Sequence, residues 1–260
     1  MTTATEHDLL AQELAAHLRQ AREQRRAVPS LADAYPSLDL GAGYAVQMLQ
    51  RRDFGSLVGW KLGVTSRAKQ AQVGVHEPIR GFLAVEHALD LGEPLHVSQH
   101  IQPRTEPEIV FVMGRDLEGP GVTAVDVLAA TASVAVGIEV LDSRFLDYRF
   151  TMPDVVADNA SAARFVVGSP VPAEGIDLRL VGVVLEKNGQ VVATASGAAS
   201  LGHPAAAVAW LVRSLAAAGE GLERGQVVLS GGLTAAVPVV AGDCVVASVD
   251  RMGSVELACV

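Results

Sequence analysis

The sequence contains little cysteine, no excess of positive charge and no long apolar run, and each lack argues against a class of protein. Its two cysteines, Cys244 and Cys259, lie in strand-like segments and are expected to be reduced core residues, not a disulfide or a zinc site. The formal net charge is −9, whereas nucleic-acid binding needs a basic face. No apolar segment is long enough to span a bilayer and no signal peptide is visible. We therefore expect a cytoplasmic protein without nucleic-acid or membrane partners.

Common catalytic motifs are also missing. The sequence has no Gly-x-Ser-x-Gly elbow and no His-Glu-x-x-His zinc motif. The glycine-rich stretch Ser230–Thr234 is not followed by the Gly-Lys-Ser/Thr of a Walker loop. It is either a simple loop or a place where the backbone approaches a ligand closely.

What the chain does have is apolar material, which makes up 50% of its 260 residues, against 19% charged residues. That balance predicts a folded core and excludes a disordered chain. We predict an α+β fold with a mixed, largely antiparallel β-core and peripheral helices, because strands do not alternate regularly with helices. We expect one catalytic domain, residues 1–260, divided into an N-terminal helical cap (1–55) and a β-rich core (56–260).

Local patterns place several elements. Leucines on one face predict a helix over 6–26, and a second helix is expected over 43–52 with Tyr44, Met48 and Leu49 turned inward. Thr123 and Asp126 have the spacing of a capping box. The dipeptide Asn188-Gly189 between two strand-like runs predicts a hairpin. We expect a further helix after His203-Pro204 and strands over 226–230, 244–249 and 255–260.

Three glutamates are the most informative residues. Glu106 and Glu108 precede an apolar, β-branched run, and alternation along a strand places both side chains on one face. Adjacent carboxylates repel unless a proton or a cation lies between them. Glu139 lies inside another apolar run, where an ionised side chain is costly to bury without a partner. With no His or Cys nearby the set suits Mg²⁺ or Mn²⁺, although Pro107 also favours the alternative of a solvated strand edge.

Lys61 is the second notable polar residue. It lies between glycines in the short apolar strand 59–64, where a lysine either extends to solvent or serves a site, and we favour the site. The polar cluster from Asp158 to Ser161 follows an apolar run, and such a cluster is more often a turn than a site.

In order along the chain, these segments resemble the 2-oxopent-4-enoate hydratase and 4-oxalocrotonate decarboxylase group of the fumarylacetoacetate-hydrolase-like superfamily. The resemblance covers nearly the whole chain, and its matching stretches are Gly59–Ser66, Glu106–Glu108, Glu139–Arg144 and Val156–Ser161. The resemblance implies the superfamily's β-core. The metal ligands it implies are Glu106, Glu108 and Glu139, and the catalytic residues are Lys61 and Ser161. We expect substrate contacts from Ile79, Asp158, Thr234 and Val237.

Within this group, the stretches Gly74–Leu83 and Ser230–Val239 resemble the decarboxylases. Hydratases carry Pro-Asp-Phe-Gly where this chain has Pro78-Ile79-Arg80-Gly81, and that acid is expected to handle protons during water addition. The implied reaction is decarboxylation of 2-oxohex-3-enedioate (4-oxalocrotonate) to 2-hydroxypenta-2,4-dienoate, in meta-cleavage degradation of aromatic compounds. The metal would act as a Lewis acid on the keto oxygen. Lys61 would neutralise a substrate carboxylate or aid protonation, and Ser161 would hydrogen-bond the substrate.

Two alternatives stay open, a 2-oxopent-4-enoate hydratase and a non-catalytic partner subunit of a hydratase complex. The expected partners are an α-keto dicarboxylate substrate, the hydratase of the same pathway and further copies of the chain in a homo-oligomer. The sequence does not choose between Mg²⁺ and Mn²⁺, and it gives neither the number of subunits nor the role of Arg80.

Overall fold

The computed structural model describes residues 2–66, 70 and 77–260, so the first three residues of the stretch Gly74–Leu83 lie outside the described residues. The helices are α1 (Thr2–Gln24), α2 (Leu31–Ala34), α3 (Leu40–Arg51), α4 (Ala124–Ala130), α5 (Met152–Ala157) and α6 (Pro204–Ala216). The strands are β1 (Leu57–Gly63), β2 (Ile79–Ala84), β3 (Ala88–Leu89), β4 (Arg104–Met113), β5 (Thr131–Leu141), β6 (Ala162–Val167), β7 (Gly182–Lys187), β8 (Gln190–Ser196), β9 (Val227–Leu229), β10 (Val237–Pro238), β11 (Cys244–Val249) and β12 (Gly253–Ala258). The predicted α+β class is confirmed.

The N-terminal helices pack against each other and against the start of the β-core. Leu14 and Leu18 of α1 are buried in a cluster that also contains Val46 of α3. The predicted inward face of α3 is confirmed in part, because Tyr44 and Leu49 pack against buried apolar clusters, although they and Met48 are only half-buried. The buried residues of this helix are Gly43, Val46, Gln47 and Gln50. The reason is that this face covers backbone carbonyl groups, which buried amide side chains satisfy.

The larger sheet runs in the order β2-β1-β9-β4-β5-β6-β3, and β10 pairs with the N-terminal end of β4. Its pairs are antiparallel except β1 with β9 and β3 with β6, as the predicted mixed, largely antiparallel core requires. The strands at the two ends of this order, β2 and β3, are joined by the short turn Val85–His87. The sheet therefore curls back on itself and has an inner and an outer face.

Register decides which side chains share the inner face. Glu106 pairs with Glu139 across β4 and β5, and Lys61 pairs with Gly81 across β1 and β2. Directly paired residues point to the same side of a sheet. The inner face is filled below these polar residues by a small apolar cluster that includes Leu83, Val110, Ala135, Phe165 and Leu229.

The outer face carries the main core. Helix α6 and the second sheet, in the order β12-β11-β7-β8, bury apolar side chains such as Trp60, Phe111, Val208 and Leu211. The predicted hairpin joins β7 to β8 through Asn188 and Gly189, whose φ angles are +55° and +73°.

The predicted capping box is present at the start of α4, where the Thr123 hydroxyl accepts the N–H of Asp126. Both cysteines are free thiols, with Cys259 buried and Cys244 half-buried. In the part of the chain that the structure describes, every helix is too short or too polar to cross a membrane.

Candidate active site

Three buried glutamates form the centre of the site. Glu106 and Glu108 lie two residues apart on β4, and Glu139 lies opposite Glu106 on β5. One carboxylate oxygen from each comes within 4.8 Å of the other two. Their relative exposures are 6%, 0% and 1%, so the alternative of a solvated strand edge does not apply here. The extended backbone spacing and the antiparallel register together bring the three acids to one point.

Within the described residues, Lys61 compensates only part of the charge of Glu108 and Glu139. Burial raises the pKa of Glu108 well above its ordinary value, and the neighbouring Glu139 carboxylate raises it further. Burial also raises the pKa of Glu139, against the opposing effect of Lys61. Glu108 Oε1 and Glu139 Oε2 have no hydrogen-bond partner among the described residues. Buried oxygens without donors suit a hard divalent cation, so this donor set fits Mg²⁺ or Mn²⁺.

The glycine-rich stretch Ser230–Thr234 lies directly against the acids. The N–H of Gly231 donates to Glu108 Oε2 at 2.6 Å, and Gly231 has a φ of +105°. A Cβ added to Gly232 would lie 1.8 Å from Glu106 Oε2. Thr234 is 8% exposed, and its hydroxyl donates to the carbonyl of Ala235 at 3.0 Å. Of the two interpretations of this stretch, close approach of the backbone to a site therefore fits the structure better.

Lys61 is buried beside the acids, with 2% exposure. Its Nζ lies 3.0 Å from Glu139 Oε1 and donates to the carbonyl oxygen of Ala160 at 2.9 Å. Gly81, its partner on β2, leaves room for the side chain, because a Cβ there would lie 3.1 Å from Lys61 Cδ. The structure thus places Lys61 within the site, where an ammonium and a carboxylate share a dry environment.

Ser161 ends a turn with unusual backbone geometry. Asn159, Ala160 and Ser161 have φ angles of +51°, +51° and +59°, a left-handed conformation that costs roughly 1–3 kcal/mol per residue. The Asn159 side chain holds the turn by pairing with the N–H and C=O of Phe82 on β2, at 2.8 and 3.0 Å. The Ser161 hydroxyl is buried and has no partner within the described chain. In this backbone conformation the Ala160 carbonyl accepts a hydrogen bond from Lys61, and the Ser161 hydroxyl remains available to a ligand.

Asp158, expected to contact the substrate, is instead hydrogen-bonded to Arg144. Both of its carboxylate oxygens accept hydrogen bonds from Arg144, one from the side-chain Nε and the other from the backbone N–H at 3.1 Å. Burial raises the pKa of Asp158 to about 6, although the Arg144 guanidinium acts to lower it. The carboxylate is therefore mostly ionised at neutral pH and committed to Arg144. It supports the turn that carries Ser161, and we do not retain it as a substrate contact.

Ile79 and Val237, the two residues expected to give apolar contacts to the substrate, lie on opposite faces of the sheet. Ile79 is buried with Ala160, and its register opposite Gly63 places it on the same face of the sheet as Lys61. Val237 pairs with Thr105, whose side chain points away from the face of Glu106, and it packs on the main core. Strand alternation therefore keeps Ile79 near the site and takes Val237 to the other side of the sheet.

Arg80, whose role the sequence left open, lies on the outer face. Its Nε donates to Ser214 Oγ at 3.1 Å, and its guanidinium lies 4.5 Å from the centre of the Tyr44 ring. It ties β2 to α6 and α3.

Sequence reasoning missed the residues that support the site from behind. Gln47 donates to the carbonyls of Arg80 and Val156, both at 2.9 Å, and Gln50 donates to that of Ala157 at 2.6 Å. The signal that was available is the amide side chains on the apolar face of α3. Asn159 and Arg144 lie within stretches singled out in the sequence, but nothing local indicated that their partners are Phe82 and Asp158, which are 77 and 14 residues away.

Comparison with known proteins gives a consistent result. Residues 58–259 match the fumarylacetoacetate (FAA) hydrolase C-terminal family, a range that contains every candidate site residue. The chain is 43% identical to a 4-oxalocrotonate decarboxylase of Pseudomonas sp. strain CF600, over 93% of this chain and 92% of that protein. It is 40% identical to a 2-keto-4-pentenoate hydratase of Burkholderia vietnamiensis, over 94% and 95%. The solved 4-oxalocrotonate decarboxylase of Pseudomonas putida G7, complexed with magnesium and adipate, aligns with a TM-score of 0.93 and 39% identity, over 100% of this chain and 99% of that chain.

Proposed function

The chain belongs to the fumarylacetoacetate (FAA) hydrolase family, and on that premise we propose that it decarboxylates 4-oxalocrotonate with a bound divalent cation. The observation that carries the proposal is the cluster of three buried glutamates beside Lys61, in a chain 43% identical to a 4-oxalocrotonate decarboxylase. Because the solved decarboxylase contains magnesium, we propose Mg²⁺, with Mn²⁺ as the alternative.

Glu106, Glu108 and Glu139 would hold the cation through the oxygens that face one another. When bound, the cation would supply Lewis-acid stabilisation of the negative charge that develops on the keto oxygen of the substrate. The protein contributes the low-dielectric surroundings that strengthen this effect, since all three carboxylates are buried.

In the proposed reaction, the bond between the far carboxyl carbon and C5 of the substrate breaks, and CO₂ leaves. The electron pair moves through the double bond to the keto oxygen, and one proton then converts the dienolate into 2-hydroxypenta-2,4-dienoate. The ammonium of Lys61 has three N–H groups, of which one binds the Ala160 carbonyl and one faces Glu139. The third remains for a substrate carboxylate or for delivery of the proton, which are the two roles we propose.

Ser161 and Ile79 would set the position of the substrate. The buried Ser161 hydroxyl can donate to a substrate oxygen, and Thr234 would contact the substrate from the glycine-rich stretch that lies against the proposed metal ligands. Ile79 would form the apolar wall that lowers the solvation of the departing carboxylate. An acid at this position, expected for the hydratases, would stand on the same face as Lys61. Its replacement by isoleucine favours decarboxylation over water addition.

The test is to incubate the purified protein with 4-oxalocrotonate and Mg²⁺, with and without EDTA, and to measure CO₂ release and the absorbance of the dienol product. We expect metal-dependent release of CO₂, lost in a Glu106→Gln variant that remains folded. Consumption of supplied 2-hydroxypenta-2,4-dienoate without CO₂ release would assign the hydratase reaction instead. Absence of both activities in a metal-loaded, folded protein would favour the non-catalytic partner subunit.

We also propose that the chain acts in the cytoplasm, forms a homo-oligomer and associates with the hydratase of the same pathway. The enol product is the substrate of that hydratase, so an association would shorten the path between the two sites. Light scattering after size exclusion, with and without a purified 2-keto-4-pentenoate hydratase, tests the assembly. Elution of the mixture as two unassociated proteins would contradict the association.

A further inference from the structure

A second cavity lies between the N-terminal helices and the outer side of the curled sheet. Its volume is about 250 Å³, and it is lined from α1, α3, the Val85–His87 turn and the start of β6. Lys61, Ser161 and the three glutamates are not among the described residues that line it. A volume of this size holds a molecule of several heavy atoms, since a water takes up about 30 Å³ in the liquid. It is therefore separate from the candidate active site.

Positive charge on this cavity is incompletely paired. Arg164 donates to the backbone carbonyl of Glu86 and has no ion pair within the described residues. Arg22 lies 3.8 Å from Asp53, but Arg19 binds the same carboxylate oxygen at 2.6 Å. Arg164 therefore borders the cavity without an ion pair, and Arg22 borders it with a carboxylate that it shares with Arg19.

The cavity wall also carries two acids, which accept hydrogen bonds from backbone groups and form no ion pair with Arg22 or Arg164 within the described residues. Glu86 Oε1 accepts the N–H of Gly55 at 2.8 Å. The Asp142 carboxylate accepts the N–H groups of Ile101 and Gln102 at 2.7 to 3.0 Å. The third guanidinium of the wall, that of Arg144, is paired with Asp158 and so adds little net charge.

A buried imidazole adds a neutral donor. His87 is 4% exposed, and its Nδ1 accepts the N–H of Ala84 at 3.0 Å, which assigns the ring proton to Nε2. Nε2 has no hydrogen-bond partner in the described part of the chain. Burial, followed by the three guanidiniums, lowers the pKa of His87 to about 3, so the ring is neutral. The rings of Phe54 and Phe82 lie 4.7 and 5.8 Å from the imidazole and give this side of the cavity an aromatic surface.

We propose that this cavity binds a small carboxylate, with its charged group at Arg22, Arg164 and the Nε2–H of His87 and its apolar part against Phe54 and Phe82. An unpaired guanidinium and a neutral N–H donor suit a carboxylate, and the aromatic wall suits a short or planar carbon skeleton. The cavity also contacts Asn159, the first residue of the strained turn that carries Ser161, and Ala162, which follows that turn. A ligand bound here would therefore be adjacent to a segment of the active site, without occupying that site.

The experiment uses metal-free, EDTA-treated protein and benzoate as the probe, followed by isothermal titration calorimetry. Arg164→Gln is expected to weaken benzoate binding at least tenfold. Arg213→Gln is the matched control, since Arg213 also donates to a backbone carbonyl, that of Val122 at 2.7 Å, but lies outside the cavity. Ala163→Leu, which fills the cavity from its wall, is the second variant and is expected to abolish binding without removing a charge.

Circular dichroism establishes that each variant is folded before it is titrated. The proposal is overturned if the wild-type protein does not bind benzoate, or if folded Arg164→Gln and Ala163→Leu proteins bind it as tightly as the Arg213→Gln protein. Binding of inorganic phosphate but not benzoate would overturn the assignment to carboxylates. Neither metal nor turnover enters this test, so its result is independent of the proposed decarboxylase activity.

Discussion

Replacing Gly232 with alanine should disturb the metal site through one carboxylate. The added Cβ would lie 1.8 Å from Glu106 Oε2 and 2.3 Å from its carboxyl carbon. An ordinary van der Waals contact needs about 3.4 Å. Because Oε2 would lie at 1.8 Å, the carboxylate must move by about 1.6 Å. Gly232 has no left-handed φ, so alanine is compatible with the backbone and the effect is steric.

The expected loss follows from this displacement. A misplacement of about 1 Å in a preorganised site can reduce its effectiveness about a hundredfold. We therefore expect the affinity for Mn²⁺ or Mg²⁺ to fall about tenfold to a hundredfold, which corresponds to ~1.4 to ~2.8 kcal/mol. Turnover at a fixed, sub-saturating metal concentration should fall in proportion.

Mn²⁺ titration followed by electron paramagnetic resonance measures the affinity, and thermal unfolding without metal checks the fold. Gly121→Ala is the control, because no described atom lies within 4 Å of a Cβ at that position and its φ is not left-handed. If Gly232→Ala binds Mn²⁺ as tightly as Gly121→Ala does, Glu106 is not a ligand in the way we propose.

Three further predictions address the lysine, the protonation of the acids and the strained turn. Lys61→Met should lower the rate of CO₂ release at least a hundredfold while Mn²⁺ still binds, and loss of Mn²⁺ binding would instead give Lys61 a structural role. In metal-free protein the raised pKa values of Glu108 and Glu139 mean that the folded state keeps protons that the unfolded state releases above its ordinary pKa of about 4.5. The free energy of unfolding should therefore fall as the pH rises above that value, by at most about 1.4 kcal/mol per pH unit for each group, and saturating Mg²⁺ should weaken or reverse the trend. Urea unfolding with EDTA and with Mg²⁺ measures this, and a metal-free stability that rises with pH would contradict it. Asn159→Ala removes two buried hydrogen bonds and should cost ~2–4 kcal/mol of stability together with most of the turnover. Asn188→Ala also loses two hydrogen bonds but lies on a distant hairpin, so it should lose stability and keep kcat, and equal kcat in the two variants would refute a positioning role for the turn.

Local sequence patterns were sufficient for part of this site. The spacing of Glu106 and Glu108 on an apolar strand predicts a shared face, because alternation along a strand depends only on neighbouring residues. Lys61 and Glu139 stood out because charged residues inside apolar runs need a partner. The resemblance to a known family then supplied the family, the fold and the decarboxylase assignment, which the comparisons support. The metal ligands and catalytic roles remain predictions until they are tested.

Other features depended on contacts between distant parts of the chain. The pairing of Asp158 with Arg144 makes that acid a support for the Ser161 turn, and the register of β10 against β4 takes Val237 to the opposite face of the sheet. The left-handed turn at Ser161 exists because Asn159 is held by a strand 77 residues earlier in the sequence. The sequence by itself therefore determined which side chains would be costly to bury and which strand faces they would share. Only the tertiary structure decided which of them meet, because register and closure of the sheet are set by packing over the whole fold.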